Sequence, residues 1–244
     1  MKVLWVKDNN IGHEKQVKIL LDELNKSVDL DIDERDVKGF YPLFTYLEDI
    51  EEKKYDFIIG AGHRTYSLIL SIKKSQKENT KSIAILSPTF HKDKFDIICS
   101  PSHDKDKFKK TNNVIFFEGS LAKVSDKDTD ENTIMIAVGG KNKHFSFDEN
   151  HIISQIDYFI SIHPNKNCYI FNSRRTPSST NQKLASLKSI YENVTFCDLN
   201  MGSNDFEKIL ARASSKLITR DSVNMIFESL SCKGKTYLID MKEN

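Results

Sequence analysis

The fold of this chain follows from residues 125–140, which read SDKDTDENTIMIAVGG. The stretch Ser125–Asn132 contains no apolar residue, whereas Thr133–Val138 has the composition of a β-strand and ends at two glycines. Because linkers between domains are typically exposed and polar, the polar stretch predicts a boundary between two domains, 1–128 and 129–244. Each predicted domain is long enough to bury a core of its own.

Short β-rich runs alternate with helical patterns on both sides of this boundary. That alternation is typical of parallel sheets covered by helices rather than of β-sandwiches. The sequence therefore predicts an α/β fold of two doubly wound Rossmann-like domains with parallel sheets. The predicted strands are 2–7, 55–60, 82–86, 95–99 and 114–117 in the first domain, and 133–138, 168–171, 194–198, 216–219 and 236–239 in the second. The predicted helices are 13–24, 65–75, 149–162, 181–191, 205–213 and 223–230.

Three of these helices are preceded by residue types that favour a helix start. Ser179 and Gln182 form the pattern of a capping box, and Asn204 precedes Glu207 at the same spacing. Ser222 is placed to cap the helix at 223–230. We expect each of these hydroxyl or amide oxygens to accept a hydrogen bond from an N–H group of the first helical turn.

Charge and hydropathy exclude several classes of protein. The 36 Lys and Arg residues are balanced by 35 Asp and Glu residues, so no positive field predicts binding to nucleic acid. The longest apolar runs are a few residues long, far below the roughly 18 that a membrane span needs. Met1–Asp8 turns polar before a signal-peptide core can form, which predicts the cytoplasm and leaves peripheral contact with the inner face of the cytoplasmic membrane open. The four cysteines form no CxxC pair and are expected to be reduced.

The candidate sites of the first domain follow predicted strands, where doubly wound folds bind ligands. Gly12 and His13 lie at a helix start after the first strand, and the imidazole can take a proton from a hydroxyl group. Gly62 and Arg64 follow another strand and suit a phosphate or a carboxylate, although the turn lacks a complete GxGxxG pattern. His103 follows a third strand, and no spacing of these histidines predicts a metal site. A surface histidine and solvated turns are the alternatives.

The candidate sites of the second domain suit a diphosphate. Gly139 and Gly140 follow a strand and can offer backbone N–H groups to a phosphate, without the spacing of a P-loop. Arg174 and Arg175 follow the next strand, and paired guanidinium groups can clamp a diphosphate bidentately. A basic surface loop and an ordinary capped helix are the alternatives. The other residues of this group are Thr176, beside the arginines, and Asp221, Ser222 and Glu228, around the start of the helix at 223–230.

Six motifs occur in an order and spacing that resemble a known family. They are Gly12-His13 with Gln16, Gly62–Thr65, Pro101–Asp104, Gly139-Gly140, Ser173–Pro177, and Asp221–Met225 with Glu228 and Gly234-Lys235. The set resembles the mitochondrial-fission ELM-like family, whose bacterial members are described as glycosyltransferases of cell-surface glycans. The specific elements are Ser173–Pro177 and Asp221–Met225. Where the family usually has an Asp-Gly-Lys-Pro-Gly-His run, this chain has DNNIGH at Asp8–His13 and so lacks one glycine and the proline.

The resemblance implies a GT-B-like architecture, with an acceptor-side domain at 1–128 and a nucleotide-sugar-binding domain at 129–244. It implies sugar transfer from a nucleotide-diphosphate donor to a glycan or lipid-linked glycan, with no cofactor and no metal ion. His13 is then an acceptor-site residue or, if the reaction inverts, the base, and Arg174 and Arg175 stabilise the leaving diphosphate. The resemblance also assigns Gly139, Gly140, Ser222 and Glu228 to the donor site. We further predict that Thr176 and Asp221 belong to the donor site, and that Gly12, Gly62, Arg64 and His103 lie on the acceptor side or bind a phosphate. The alternative functions are a nucleotide-sugar epimerase and a non-catalytic interaction protein of the same fold.

Overall fold

A computed structural model of the protein describes residues 1–37, 53–76, 79–199 and 205–244. The chain forms two units, Met1–Leu121 and Ala122–Asn244. The boundary therefore lies between residues 121 and 122 rather than between the predicted 128 and 129. The physical reason is that the polar stretch is bound to the second unit, where the N–H group of Ser125 donates to the carbonyl of Ser231 over 2.9 Å.

The first unit contains a six-stranded parallel sheet. Its strands are β1 (Lys2–Lys7), β2 (Asp31–Asp36), β3 (Phe57–Ala61), β4 (Lys81–Ile85), β5 (Ile97–Pro101) and β6 (Val114–Phe117). They lie in the order β2-β1-β3-β4-β5-β6. The helices among the described residues of this unit are α1 (Ile11–Leu24) and α2 (His63–Gln76), with 3-10 turns at Lys92–Lys94 and Ser102–Phe108.

Helices cover both faces of this sheet because its central strands are apolar along most of their length. In β1, all four residues of Val3–Val6 are buried. One face packs against Val17 and Leu21 of α1, and the opposite face packs against Ile69 and Ile72 of α2. The parallel sheet that the sequence predicts for this unit is therefore confirmed.

The strand β2 is not predicted from the sequence, because its residues read DIDERD and lack an apolar run. An edge strand needs one paired neighbour and tolerates charged side chains toward solvent. All six residues of β2 pair with β1, for example Asp33 with Leu4. The backbone ladder of β1, rather than the side-chain pattern of β2, decides this strand.

The second unit contains a five-stranded parallel sheet. Its strands are β7 (Asp130–Ala137), β8 (Asn167–Phe171), β9 (Val194–Cys197), β10 (Ala213–Thr219) and β11 (Lys235–Ile239), and their order is β11-β10-β7-β8-β9. Its helices are α3 (Glu149–Ser161), α4 (Ser178–Ser186), α5 (Phe206–Arg212) and α6 (Val223–Leu230), with a 3-10 turn at Leu187–Ser189. Ile134 and Ile136 of β7 pack against α3, whereas Met135 packs on the opposite face with Leu210 of α5.

The helix starts differ from the predicted caps. The helix α4 begins at Ser178 after Pro177, and the hydroxyl of Ser179 donates to Glu149 over 2.8 Å, so the predicted capping box is wrong. Ser222 occupies the N-cap position of α6, but its hydroxyl makes no cap hydrogen bond. The predicted cap at Asn204 lies outside the described residues.

The direction in which strands are added reverses once in each sheet. From β1 the chain passes to β2 on one side and then to β3 on the other, and from β7 it passes to β8 and β9 before returning to β10. Open α/β sheets bind ligands outside the carboxyl ends of the strands at such a switch point. In both units the loops at this point carry residues that the sequence predicts as functional.

Candidate functional site

In the first unit, the segment after β1 places His13 in the first turn of α1. The Oδ1 atom of Asn10 caps this helix by accepting hydrogen bonds from the N–H groups of Gly12 at 3.0 Å and His13 at 3.4 Å. Asp8 accepts a hydrogen bond from the N–H group of Asn10 at 3.0 Å. The N–H group of Gly12 is therefore engaged by the cap rather than offered to a phosphate.

His13 and Asp8 form a hydrogen-bonded pair, with 2.7 Å between Nδ1 and Oδ2. Because an ionised carboxylate can only accept, this bond places a proton on Nδ1, and in the neutral imidazole Nε2 is then the acceptor. The Asp8 side chain is 7% exposed and the His13 side chain is 28% exposed, so the carboxylate is shielded while the imidazole reaches solvent. This is the geometry of a general base held by an orienting carboxylate.

Gly62 brings the turn after β3 against this pair. Its φ of +87° lies in the region that favours glycine. A Cβ atom at this position would lie 2.5 Å from both Asp8 Oδ2 and His13 Nδ1. The hydroxyl of Thr65 donates to the carbonyl of Gly62 over 2.9 Å and holds the turn. Gly62 thus makes room for the Asp8–His13 pair, a contact that the sequence pattern does not indicate.

Two other candidates of the first unit are exposed. Arg64 makes no hydrogen bond or ion pair with any described residue. The His103 side chain is 64% exposed, with Nε2 at 4.0 Å from Asp104. Burial acts to raise the pKa of Asp104, but hydrogen bonds from Lys107 and Ser87 outweigh it and hold that pKa below its ordinary value. No described contact joins Arg64 or His103 to the pair after β1.

In the second unit, the loops after β7, β8 and β10 interlock. The N–H group of Gly139 donates to the hydroxyl of Thr219 over 2.7 Å, and that of Gly140 donates to the carboxylate of Asp221 over 2.9 Å. An added Cβ atom would come within 3.0 Å of the Asp221 carboxylate at Gly139, and within 3.0 Å of the Arg175 carbonyl at Gly140. Both N–H groups predicted to cradle a phosphate are therefore used within the protein, and the glycines instead allow close packing of the loops.

Asp221 is the buried centre of these loops. Its side chain is 0% exposed, and Oδ2 also accepts a hydrogen bond from Nη2 of Arg175 at 2.8 Å. Its Oδ1 atom is buried without a partner in the part of the chain that the structure describes. Arg175 is 45% exposed and also donates to the carbonyl of Lys141 over 3.3 Å. Arg175 compensates a carboxylate that water does not reach, so its guanidinium is not free to clamp a diphosphate in this structure.

Thr176 and Asn142 fix the shape of the same loops. The hydroxyl of Thr176 donates to the carbonyl of Val138 over 3.0 Å and accepts from the N–H group of Ser173 at 2.8 Å. The amide of Asn142 donates to the carbonyl of Asp221 over 3.0 Å. Thr176 therefore connects the loop after β8 to the end of β7 by hydrogen bonds.

Three further donor-site candidates differ in their surroundings. Arg174 is exposed and has no hydrogen bond or ion pair with a described residue. The N–H groups at the start of α6 donate no hydrogen bond to the side chain of Ser222. Glu228 lies on α6 and is 7% exposed. The structure thus joins Gly139, Gly140, Arg175, Thr176 and Asp221 by direct contacts and leaves Arg174 facing solvent.

The sequence pattern does not point to Asp8, Asn142 or Thr219. Asp8 carries a weak signal, since it is an acidic residue at the end of the first strand, five positions before His13. Asn142 and Thr219 carry none, because each meets its partner about 80 positions away in the chain. These contacts depend on which strands are neighbours in the sheet.

Two structural features are absent from residues 1–37, 53–76, 79–199 and 205–244. No group of three or more His, Cys, Asp or Glu side chains in these ranges is placed to hold a metal ion. Within the same ranges, no helix combines the length and the apolar composition that crossing a membrane requires.

Solved structures of similar fold include transferases and epimerases. The glycosyl transferase family 9 protein from Veillonella parvula is 12% identical, covers 94% of this chain and 77% of its own, and has a TM-score of 0.51. The UDP-GlcNAc 2-epimerase from Methanocaldococcus jannaschii, in complex with UDP-GlcNAc and UDP, is 10% identical, covers 99% and 85%, and has a TM-score of 0.54. At these identities the likeness shows the fold alone, which is the predicted GT-B-like pair of Rossmann-like sheets.

Comparison of sequences identifies the family of the chain, which similarity in fold does not. An uncharacterised protein from Rickettsia prowazekii is 26% identical, over 82% of this chain and 70% of that protein. The model of the family described as Mitochondrial fission ELM1 matches residues 11–244. The match covers nearly the whole chain and includes the motifs at Gly12-His13, Ser173–Pro177 and Asp221–Met225. The chain therefore belongs to the mitochondrial fission ELM1 family, as the resemblance of its motifs predicts.

Proposed function

We propose that the protein transfers a sugar from a nucleotide-diphosphate donor to a hydroxyl group of a cell-surface glycan or lipid-linked glycan. In this proposal the second unit binds the donor and the first unit binds the acceptor. The observation that carries it is the Asp8–His13 pair, a shielded carboxylate bound to an accessible imidazole at the switch point of a doubly wound sheet. A lipid-linked acceptor would place the reaction in the cytoplasm at the inner face of the cytoplasmic membrane, which is the location we propose.

His13 is the general base of the proposed reaction. The acceptor oxygen attacks C1 of the donor sugar while its proton passes to Nε2 of His13. The bond from C1 to the diphosphate oxygen breaks, and the nucleoside diphosphate leaves with the bonding electrons. Asp8 keeps the proton on Nδ1 and stabilises the imidazolium that forms. Attack on the face opposite the leaving group inverts the anomeric centre.

The two adjacent arginines have different roles in this proposal. Arg174 is exposed and meets the charge that develops on the leaving diphosphate. Arg175 is a positioning residue, because its ion pair with Asp221 holds the loop against Gly140. The uncapped N–H groups beside Ser222 add positive partial charge at the start of α6.

The donor site in this proposal also includes Glu228. Glu228 is buried on α6 and is proposed to accept hydrogen bonds from hydroxyl groups of the donor. Because Arg174 and the helix N–H groups meet the phosphate charge, the proposed reaction requires no metal ion and no cofactor. The similarity in fold to a UDP-GlcNAc 2-epimerase and to a family 9 glycosyl transferase supports a nucleotide sugar as the donor class.

Calorimetric titration with a panel of nucleotide sugars tests the donor site. Arg174→Ala is expected to abolish binding of the donor that the wild-type protein recognises. The matched control is Arg212→Ala, which removes an exposed arginine that pairs with Asp130 on the surface, and it is expected to leave binding unchanged. A folded wild-type protein that binds none of the nucleotide sugars would exclude the proposed donor site.

Epimerisation of the nucleotide sugar is the second candidate function, and the similarity in fold to the UDP-GlcNAc 2-epimerase from Methanocaldococcus jannaschii supports it. Product analysis distinguishes it from transfer. Release of nucleoside diphosphate that depends on an acceptor supports transfer, whereas conversion of the donor to an epimer without acceptor supports epimerisation. His13→Ala is expected to keep donor affinity and lose turnover, and retained turnover would exclude His13 as the base. Donor binding without either reaction would favour a non-catalytic interaction protein.

A further inference from the structure

A basic cavity lies in the first unit, away from the Asp8–His13 pair. Its volume is about 700 Å³. Lys81 and Asp96 line it from the amino ends of β4 and β5, whereas Asp8 and His13 follow the carboxyl end of β1. Since all strands of this sheet are parallel, the cavity lies at the amino ends of the strands and the Asp8–His13 pair lies at their carboxyl ends. The cavity shares no residue with the proposed acceptor side.

The lining of this cavity carries more positive than negative charge. Four lysines line it, Lys73, Lys74, Lys81 and Lys94, together with one carboxylate, that of Asp96. Asp96 is bound by Lys73 at 2.6 Å and by Lys81 at 3.5 Å. The side chains of Lys74 and Lys94 are exposed and make no hydrogen bond or ion pair with a described residue. Two ammonium groups at the cavity are thus left without a counter-charge in the described structure.

The charge of Asp96 is fixed at neutral pH. Its Oδ2 atom accepts hydrogen bonds from the N–H group and the hydroxyl of Ser82, at 2.7 and 2.9 Å. Burial acts to raise the pKa of Asp96, but the bonds from Lys73 and Ser82 outweigh it and lower that pKa to about 2. The carboxylate therefore stays anchored to the sheet and orients Lys73 and Lys81 rather than titrating.

The lysines converge on the cavity from three separate segments. Lys73 and Lys74 lie in the last turn of α2. Cations at this position complement the helix dipole, so these two lysines can be explained without a ligand. The dipole does not account for Lys81, which begins β4, or for Lys94, which ends the 3-10 turn at Lys92–Lys94. The ammonium group of Lys73 also donates to the carbonyl of Lys94 over 3.2 Å and so joins two of the segments. Convergent cations around one concave surface raise its positive potential.

Part of the cavity lining beside these charged side chains is apolar. Leu70 of α2 and Phe90 line the same cavity, and the Phe90 side chain is 37% exposed. The imidazole of His91 packs edge-on to the Phe90 ring, with 5.6 Å between the ring centroids. A ligand that joins an anionic group to an apolar group matches both parts of the lining.

We propose that this cavity binds a phosphate ester. Lys74 and Lys94, with Lys81 beside them, contact the phosphate as point charges, and Leu70 and Phe90 contact the organic part. A free phosphorylated small molecule and a phospholipid headgroup present the same chemistry to this site. The site stands independently of the donor and acceptor sites proposed above, because none of their residues lines it.

Titration of the ¹⁵N-labelled 244-residue protein with phenyl phosphate and with inorganic phosphate tests the site by NMR. We expect saturable shifts of the Thr80 and Lys81 amide signals and tighter binding of phenyl phosphate, because part of the lining is apolar. Lys74→Gln with Lys94→Gln is expected to weaken phenyl phosphate binding about tenfold, or ~1.4 kcal/mol. Both lysines are exposed, so the variant is expected to fold.

The matched control removes the same charge from the other face of the sheet, by Lys18→Gln on α1 with Lys26→Gln just after it. This control variant is expected to bind phenyl phosphate as the wild-type protein does, because Lys18 and Lys26 line no part of the cavity. Equal weakening in both double variants, or the absence of saturable shifts, would overturn the proposal.

Sedimentation with phosphatidylcholine vesicles, with and without phosphatidylglycerol, distinguishes the source of the phosphate. Binding that needs phosphatidylglycerol and is lost in the Lys74–Lys94 variant, but not in the Lys18–Lys26 variant, identifies a headgroup. Saturable phenyl phosphate binding without sedimentation identifies a free phosphorylated molecule. Failure to bind nucleotide sugars does not affect either result, so this site and the donor site fail separately.

Discussion

The single substitution Arg175→Ala is expected to destabilise the second unit more than the double substitution Arg175→Ala with Asp221→Asn, which removes both charges of the ion pair. Nη2 of Arg175 lies 2.8 Å from Oδ2 of Asp221, whose side chain is fully buried. In Arg175→Ala this carboxylate keeps the N–H group of Gly140 as its donor but loses its counter-ion. The unpaired buried charge, rather than the lost contact, is the main cost of the substitution.

The size of the effect follows from the exposure of the two side chains. Breaking a fully buried ion pair on one side costs about 3–5 kcal/mol. Arg175 is 45% exposed, so water can enter the space that its guanidinium leaves and can partly solvate Asp221. We therefore expect a loss of about 2 kcal/mol for Arg175→Ala. Adding Asp221→Asn removes the charge and keeps an oxygen for the Gly140 N–H group, so the double variant is expected to lose about 1 kcal/mol.

Urea unfolding measured by two probes provides the assay. Trp5 is the sole tryptophan and belongs to the first unit, so its fluorescence serves as the control that the substitution acts locally. Far-UV circular dichroism also reports the second unit. We expect the dichroism transition of Arg175→Ala to shift to lower urea while the Trp5 transition stays in place. An Arg175→Ala free energy of unfolding within about 0.5 kcal/mol of wild type, or a double variant less stable than the single one, would refute this reasoning.

Gly140→Ala is expected to destabilise the second unit by about 1–3 kcal/mol, because the added methyl group meets the Arg175 carbonyl; unchanged thermal unfolding would contradict this. Asp8→Asn is expected to lower kcat of the proposed transfer by about 10²–10⁴-fold in a folded protein, because the amide can donate to Nδ1 of His13 and leave the proton on Nε2; the kcat at saturating donor and acceptor measures it. Asp96→Asn is expected to lower the free energy of unfolding of the first unit at neutral pH. Because the folded-state pKa of Asp96 is lowered from 3.8 to about 2, this stabilisation is present above the unfolded value and is lost as pH falls through that interval, so Trp5-monitored urea unfolding should show the two proteins converging there.

The parallel α/β architecture could be predicted because it depends on local patterns. Buried runs such as Val3–Val6 and Ile134–Val138 are continuous in the sequence, and only strands covered on both faces bury so many consecutive residues. Turn glycines and helical spacing then placed most of the other elements within a few residues. The pattern failed at β2, where a charged sequence is held as an edge strand by pairing with β1.

The candidate residues could be located from the sequence, but their roles could not be assigned. His13 was identified by its residue type and its position after a strand. Its partner Asp8 is defined only by the tertiary structure, in which the carboxylate meets the imidazole and Gly62 leaves room for both side chains. The motifs also indicate the family, because their residue types, order and spacing are all present in the sequence itself.

The sequence by itself thus determined two doubly wound domains, the loops that carry their candidate residues and the family of the chain. Only the tertiary structure decided which polar groups meet in those loops. Arg174 and Arg175 are adjacent and alike in the sequence, yet Arg175 alone is bound to the buried Asp221, 46 positions further along the chain. The physical reason is that β7 lies between β10 and β8 in the sheet. This order brings Asp221, after β10, and Arg175, after β8, together beside the loop after β7, and no local pattern encodes it.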